Sequence, residues 1–205
     1  MTQNIRPAAL SDMPYLYEIC LKTAANGGDA TALYSDPWLV GQYFAAPYLA
    51  NDPSACFVAE LDGVPRGYIV GTTDTASFER WMRESWLPLL KQRYPPAGTE
   101  SGLSSMEQWM RSVLHEEPDA SEEKSRLISE YPAHLHIDLL PELQGMGTGK
   151  LLIRTFMDAL KKRNCPGLHL SVSKKNERAV AFYEKTGFSV IADYSNAITM
   201  GMRFY

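Results

Sequence analysis

The feature that most constrains this chain is a seven-residue loop, Gln144-Gly145-Met146-Gly147-Thr148-Gly149-Lys150. It lies between a stretch that reads as a strand, Ala133 to Leu140, and one that reads as a helix, Lys150 to Arg163. Glycines at alternate positions of a strand-to-helix turn let consecutive backbone N–H groups converge on an anion at the positive end of the helix. A phosphate-bearing ligand is therefore expected. The loop is not the dinucleotide fingerprint G-x-G-x-x-G, because Lys150 stands where the third glycine belongs. Nor is it the P-loop G-x-x-x-x-G-K-[ST]: counted back from Gly149-Lys150, that frame begins at Gln144 and ends at Leu151.

Around the loop the pattern alternates between the two periods. Asn4 to Pro7 reads as a short strand. Ser11-Asp12 followed by Pro14 is a helix start, with Leu16, Ile19 and Cys20 at helical spacing. Gly27-Gly28-Asp29 and Asp36-Pro37 are loop chemistry, and Trp38 to Leu49 holds a short helix. Ala55 to Leu61 and Pro65 to Thr73 are β-rich runs joined by Asp62-Gly63, a strong short-range hairpin signal. From about 75 to 131 the chain turns helical, as though inserted: Phe78, Trp81, Met82, Trp86, Leu89 and Leu90 keep helical spacing with a break expected at Pro88, and Met106 to Leu114 forms another helix. After the loop and its helix come strand Gly167 to Val172, helix Asn176 to Thr186, and strands Phe188 to Asp193 and Ala197 to Phe204. The order β-α-β-β-(helices)-β-α-β-α-β-β predicts an α/β fold, one mixed sheet with flanking helices, in a single domain over 1–205.

Composition narrows the function. With a net charge of −4 and a pI near 5.6 the chain lacks the basic excess of a general nucleic-acid binder, so no nucleic-acid partner is expected. Neither a membrane-length apolar run nor a secretion-type N-terminus is present in the sequence, so no membrane association and a cytoplasmic location are expected. Cys20, Cys56 and Cys165 are widely spaced with no C-x-x-C pair, which points to reduced packing residues and to no metal. Between positions 150 and 185 nine basic side chains face three acidic ones, a local excess that suits an anionic ligand.

The loop also fits [QR]-x-x-G-x-[GA], read as Gln144, Gly147 and Gly149, and so resembles the pyrophosphate loop of the GNAT N-acetyltransferase superfamily. Downstream, Asn176-x-x-Ala179-x-x-Phe182-Tyr183-x-x-x-Gly187-Phe188 is similar to that superfamily's second motif in type and spacing. The resemblance spans Ile5 to Phe204. It extends through Tyr17-Glu18-Ile19-Cys20, Cys56-Phe57-Val58, Gly67-Tyr68 with Gly71-Thr72 and Asp74, and Ser85-Trp86-Leu87-Pro88 to the acetyltransferase-like domain family at the C-terminus of the O-GlcNAc hydrolases. It implies a GNAT fold, with a mostly antiparallel central sheet, and acetyl-coenzyme A as cosubstrate. The implied cofactor residues are Leu139 and Leu140, the loop residues Gln144, Gly145, Met146, Gly147, Thr148, Gly149 and Lys150, and Asn176 and Tyr183. In animal members the loop is degenerate; here it is intact. The expectation is a stand-alone, bacterial-type relative that binds the cofactor. The alternative is a catalytically silent module that holds acetyl-coenzyme A or a protein partner.

Acetyl transfer to an amine needs a base for the ammonium, a donor for the attacked carbonyl oxygen and an acid for the departing thiolate. In the superfamily the second-motif tyrosine protonates the thiolate, which maps to Tyr183; the competing reading is helix-face packing. For the base, His134, His136 and Asp138 alternate along the strand and share one face, with Leu135, Ile137 and Leu139 on the other. Glu60 and Asp74 are weaker candidates. The carbonyl-oxygen donor is a backbone N–H near Leu139 or Leu140. Trp81, Trp86, Tyr94 and Trp109 either wall an acceptor pocket or form core or a homodimer surface, and Asp29 and Asp36 either bind a cationic acceptor or cap turns. The acceptor, a small molecule or a peptide amine, is not encoded in any motif.

Overall fold

The computed structural model describes residues 2–99 and 101–204. Strand β1 (Gln3–Pro7) leads into α1 (Met13–Thr23), then short helices α2 (Gly41–Phe44) and α3 (Ala46–Asn51). The hairpin β2 (Cys56–Leu61) and β3 (Val64–Thr72) turns through Asp62 at φ 50° and Gly63 at φ 82°. Positive φ at both central residues makes a turn whose twist matches the strands, which is why Asp-Gly specifies it. Helices α4 (Thr75–Trp81), α5 (Leu87–Arg93), α6 (Ser105–His115) and α7 (Glu122–Glu130) follow. Then come β4 (Ala133–Leu139), α8 (Thr148–Lys162), β5 (Gly167–Ser173), α9 (Glu177–Lys185), β6 (Ser189–Asp193) and β7 (Ala197–Arg203).

The strands form one seven-stranded sheet in the order β1-β2-β3-β4-β5-β7-β6. All neighbours are antiparallel except β4 and β5. Each face carries its own core. On one, Leu16, Ile19 and Cys20 of α1 and Leu49 of α3 pack over Val58, Tyr68 and Val70. On the other, α8 sets its buried stripe, Leu152, Ile153, Phe156 and Leu160, against Ile69, Leu135 and Leu170. Residues 3.6 apart per turn on α8 and two apart on the strands meet because both periods aim at the same layer. Gly71 sits where β3 crosses this layer: a Cβ there would run into the His134 carbonyl and the Phe156 ring.

Three local readings need correction. The helix start at Ser11-Asp12 is real, but the Asp12 carboxylate does not cap α1. It accepts from Arg6 at 2.6 and 2.8 Å and from the Ala9 N–H at 2.8 Å, tying β1 to the turn. Pro88 does not break its helix; Met82–Trp86 widens into a π-helical turn and α5 continues from it. Proline lacks the N–H that would bond the carbonyl four residues back, and the wider turn absorbs that mismatch. Helix α7 was not expected from the acidic run before it; Ser121 caps it by accepting from the Lys124 N–H at 3.1 Å. The helices between β3 and β4 are anchored to the chain before β2. Trp86 Nε1 donates to the Gln42 carbonyl at 2.7 Å, and the buried Glu107 carboxylate accepts from Ser35 N–H and Oγ at 2.7 Å and from Arg111 at 3.0 Å.

Candidate active site

β4 and β5 pair only at Ala133 with Leu168 and His134 with His169, and then diverge. The Leu140 N–H donates to the Arg66 carbonyl at 2.9 Å, on the β3 side. Antiparallel pairing alternates, so the Leu139 N–H and C=O point to the opposite edge, the one β5 has left. The Leu139 carbonyl is taken by Gln144 Nε2 at 2.7 Å, and among the described residues the N–H has no partner, a free strand-edge donor. A cleft of about 860 Å³ opens here, lined by Ile137, Asp138 and Leu139 of β4, Ser171 and Val172 of β5, the glycine loop, and the start of α9.

The loop forms the mouth of the cleft. Gly145 (φ 75°) and Gly147 (φ 82°) adopt left-handed backbone, and Gly147 is the residue from which α8 begins. Among the described residues, nothing beyond their own chain neighbours lies within 4 Å of a Cβ placed on either, so the space beside them is open. Gly149 is different: its Cβ would lie 3.1 Å from the Phe182 ring, so this glycine lets α8 and α9 approach. Gln144 clamps the loop, donating to Leu139 and accepting from Arg178 at 2.8 Å. Asn176 lines the cleft and also caps α9, its Oδ1 accepting from the Ala179 N–H at 3.1 Å. Lys150 and Lys185 line the cleft beside Arg178. Arg163 and Lys174 pair elsewhere with Asp52 and Asp193, so only part of the basic excess faces it.

Leu139, Gln144, Gly145, Gly147, Gly149, Lys150, Asn176 and Tyr183 thus converge on the cleft, but three of the expected cofactor residues do not line it. Leu140 is buried in the core under α1, and its N–H is already bonded, which also removes it as the carbonyl-oxygen donor. Met146 is exposed, and its sulfur, like the Thr148 hydroxyl, meets the Gln3 amide at the far edge of the loop. Met146 and Thr148 both turn toward Gln3 and away from the cleft, so the glycine motif marks a backbone cradle rather than a row of contacting side chains.

His136 and Asp138 line the cleft from one side and Tyr183 from the α9 side. Burial pushes the Asp138 carboxyl above its usual range, opposed by a 2.5 Å hydrogen bond donated by the Tyr68 hydroxyl. Burial holds His136 down, to about 4, and His134 well below 6.5. His134 does not line the cleft; it sits behind His136, bonded to Tyr48 and Thr75. Burial, and next the Asp138 charge, raise the Tyr183 hydroxyl far above 10 and keep it protonated. Its ring packs against Phe182 and Phe188, while among the described residues its hydroxyl has no hydrogen-bond partner. Tyr183 is both a packing residue and a free donor at the cleft.

The weaker candidates resolve into structural roles. Glu60 pairs with Arg6 at 2.7 Å, and Asp74 caps α4 through the Ser77 N–H at 3.0 Å. Asp29 bonds Thr31, and Asp36 bonds Trp38, Arg93 and Tyr94. Trp81, Trp86 and Tyr94 belong to the core under α1, and Trp109 is half exposed and stacked on Phe44; none lines the cleft. Sequence reading gave no site role to Tyr48, Tyr68 and Thr75, nor to the wall residues Thr23, Ala24, Asn26 and Gly27. Tyr68 reaches Asp138 only through the β3–β4 register, and Tyr48 lies in a segment whose pattern is mixed, so neither carries a local signal.

A parallel pair that splays at the centre of an otherwise antiparallel sheet, with a glycine loop at its mouth, defines an acetyltransferase type of fold. The chain belongs to the GNAT acetyltransferase family: the model for "Acetyltransferase (GNAT) family" matches residues 25–188. It is similar to the crystal structure of SsHAT, with 36% identity, a TM-score of 0.87 and coverage of 99% of this chain and 98% of that one. The "Protein O-GlcNAcase" of Rattus norvegicus is 27% identical over 92% of this chain; the chain spans about a fifth (20%) of that relative's length. The fold is shared, at 16% identity and a TM-score of 0.59, with a PaiA N-acetyltransferase of Thermoplasma acidophilum solved with coenzyme A, with both chains fully covered. The fold is therefore the GNAT α/β fold.

Proposed function

We propose that this chain is an acetyl-coenzyme A-dependent N-acetyltransferase that acts as one domain over 1–205 and transfers an acetyl group to an amine. The observation that carries this reading is the unpaired Leu139 edge, with Asp138 and Tyr183 beside it and the glycine loop at its mouth. The residues fit the cosubstrate: free strand edge for the amides of the pantetheine arm, open left-handed glycines for the pyrophosphate, and Lys150, Arg178 and Lys185 for its charge. Acetyl-coenzyme A supplies the activated acetyl group as a thioester.

The chain's own groups divide the chemistry. Asp138, raised by burial, takes a proton from the acceptor's ammonium so that its nitrogen lone pair is free. The Leu139 N–H donates to the carbonyl oxygen as negative charge grows there. Tyr183 delivers its proton to the sulfur as the carbon–sulfur bond breaks, and is reprotonated through water by the proton that the new amide nitrogen sheds, so that thioester and amine give amide and free thiol. His136, held to about 4, is too weak a base for the full proton and serves as a hydrogen-bonding group. Cys20, Cys56 and Cys165 are free and buried, which supports a reducing, cytoplasmic setting.

Isothermal titration with acetyl-coenzyme A and a desulfo analogue tests the binding half; no heat at millimolar ligand would sink it. Thiol release with a panel of amines and peptides tests the transfer half. Binding without release above the hydrolysis background would favour a silent cofactor-holding module.

A further inference from the structure

Behind the cleft wall a chain of hydrogen bonds runs from His136 through Tyr48 and His134 to Thr75 and the Pro132 carbonyl. Its distances are 3.0 Å (His136 Nε2 to Tyr48 Oη), 2.8 Å (Tyr48 Oη to His134 Nε2), 2.7 Å (His134 Nδ1 to Thr75 Oγ1) and 2.7 Å (Thr75 Oγ1 to Pro132 O). The direction of every proton follows from the last link. A carbonyl oxygen has no hydrogen, so two oxygens at 2.7 Å need the Thr75 hydroxyl to donate. That spends its one proton, and Thr75 Oγ1 must accept from His134 Nδ1–H. His134 is neutral, because burial among packed rings holds it far below 6.5, so its Nε2 is bare and the Tyr48 hydroxyl donates to it. The Tyr48 proton is then spent, and the 3.0 Å contact to His136 requires the hydrogen on His136 Nε2.

We propose that Tyr48 is a positioning residue that locks His136 in its Nε2–H tautomer, so that Nδ1 keeps a lone pair with which this cleft residue accepts an N–H from the amine to be acetylated. The inference rests on the transferase reading for the amine. For the tautomer it rests on the hydrogen-bond chain together with the neutrality of the buried His134. Tyr48 is held in place for this role. It is 4% exposed, stacked on Phe78 at 4.3 Å, and its hydroxyl touches both imidazoles. Phe44 covers His136 edge-on at 5.2 Å, which fixes the ring itself. Among the described residues no group bonds His136 Nδ1. A lone pair there accepts from an ammonium, an amine or a water and repels a carbonyl or carboxylate, so the cleft selects acceptors that present a donor.

The test reads the tautomer directly. In protein labelled with nitrogen-15 in histidine at pH 7.5, long-range nitrogen–proton correlation spectra are expected to show His136 with a protonated Nε2 and the downfield resonance of a bare Nδ1, and His134 with the opposite assignment. A protonated Nδ1 on His136 in the wild-type protein overturns the proposal. Thr75→Val is expected to create an Nδ1–H population on His136, although the substituted side chain does not touch it, while Thr75→Ser keeps the wild-type pattern; an unchanged His136 in Thr75→Val overturns the relay. Tyr48→Phe, if it folds, is expected to mix the two tautomers. Finally, n-butylamine titrated into protein saturated with coenzyme A is expected to shift the Nδ1 resonance of wild-type His136. No shift, with coenzyme A bound, overturns the role given to the lone pair; failure of coenzyme A to bind is the separate failure of the transferase reading.

Discussion

Asp138, Tyr183 and Gly147 answer for different parts of the proposed chemistry, and single substitutions separate them. Tyr183→Phe removes a proton donor but no ground-state contact to the nucleotide. Turnover is expected to fall by roughly tenfold to a thousandfold with acetyl-coenzyme A affinity nearly unchanged, read by steady-state kinetics beside titration calorimetry. An unaltered rate across the pH range would leave Tyr183 as packing alone. Asp138→Asn keeps the shape and the acceptor for Tyr68 but cannot take a proton. It is expected to remove the acidic limb of the pH–rate profile, which in the wild type lies above the ordinary carboxylate range because burial raises this group. Gly147→Leu puts a side chain into open space beside the loop at φ 82°, so the folded chain loses only about 1–2 kcal/mol of stability to backbone strain. Coenzyme A binding should vanish by calorimetry while the melting temperature drops by only about 2–8 °C. Of these residues, Gly147 and Tyr183 are visible in a motif, whereas the raised pKa of Asp138 exists only once α1 and β3 cover it.

At the scale of elements, the helix after the loop and the strand beneath it are held by close approach. Gly71 on β3 leaves room for the His134 carbonyl of β4 and the Phe156 ring of α8, and a methyl group there can displace the ring but not the main chain. Gly71→Ala is expected to destabilise the fold by about 1–3 kcal/mol through overpacking, measured by urea denaturation. A stability equal to wild type would mean that β3 and β4 shift freely. The hairpin, α8 and the strand before the loop could be read from the chain because each carries its own period and punctuation. Helix α7, the split of 38–49 into α2 and α3, and the π-helical turn before Pro88 could not, since their ends are set by what they dock against, such as Trp86 on the Gln42 carbonyl.

Across the whole molecule, His134, His136 and His169 form a buried group whose protonation opposes folding. All three are held below 6.5 in the folded protein by burial, so the unfolded chain binds protons first as the pH falls. Their contribution is intact above about pH 6.5 and is lost between there and about 4 for His136, a change of roughly 3 kcal/mol from that ring. Asp138, raised rather than lowered, acts with the opposite sign and offsets part of the loss. Thermal melts from pH 8 to pH 4 are expected to show the midpoint falling below pH 6.5, and a flat profile would mean that the cluster is solvated. By itself the sequence determined the order of the strands, the hairpin, the buried stripe of α8, the glycine cradle and the shared face of His136 and Asp138, because these depend on local period, backbone freedom and short spacing; the candidacy of Tyr183 came from the resemblance of its motif. Only the tertiary structure decided that β4 and β5 part company after two pairs, that Leu139 rather than Leu140 holds the free N–H, and that His136 is weakened while Asp138 is strengthened as a base. Those outcomes depend on register, burial and proton direction across contacts tens of residues apart, where Tyr48 meets His134 and His136 and Tyr68 meets Asp138, and no local pattern encodes them.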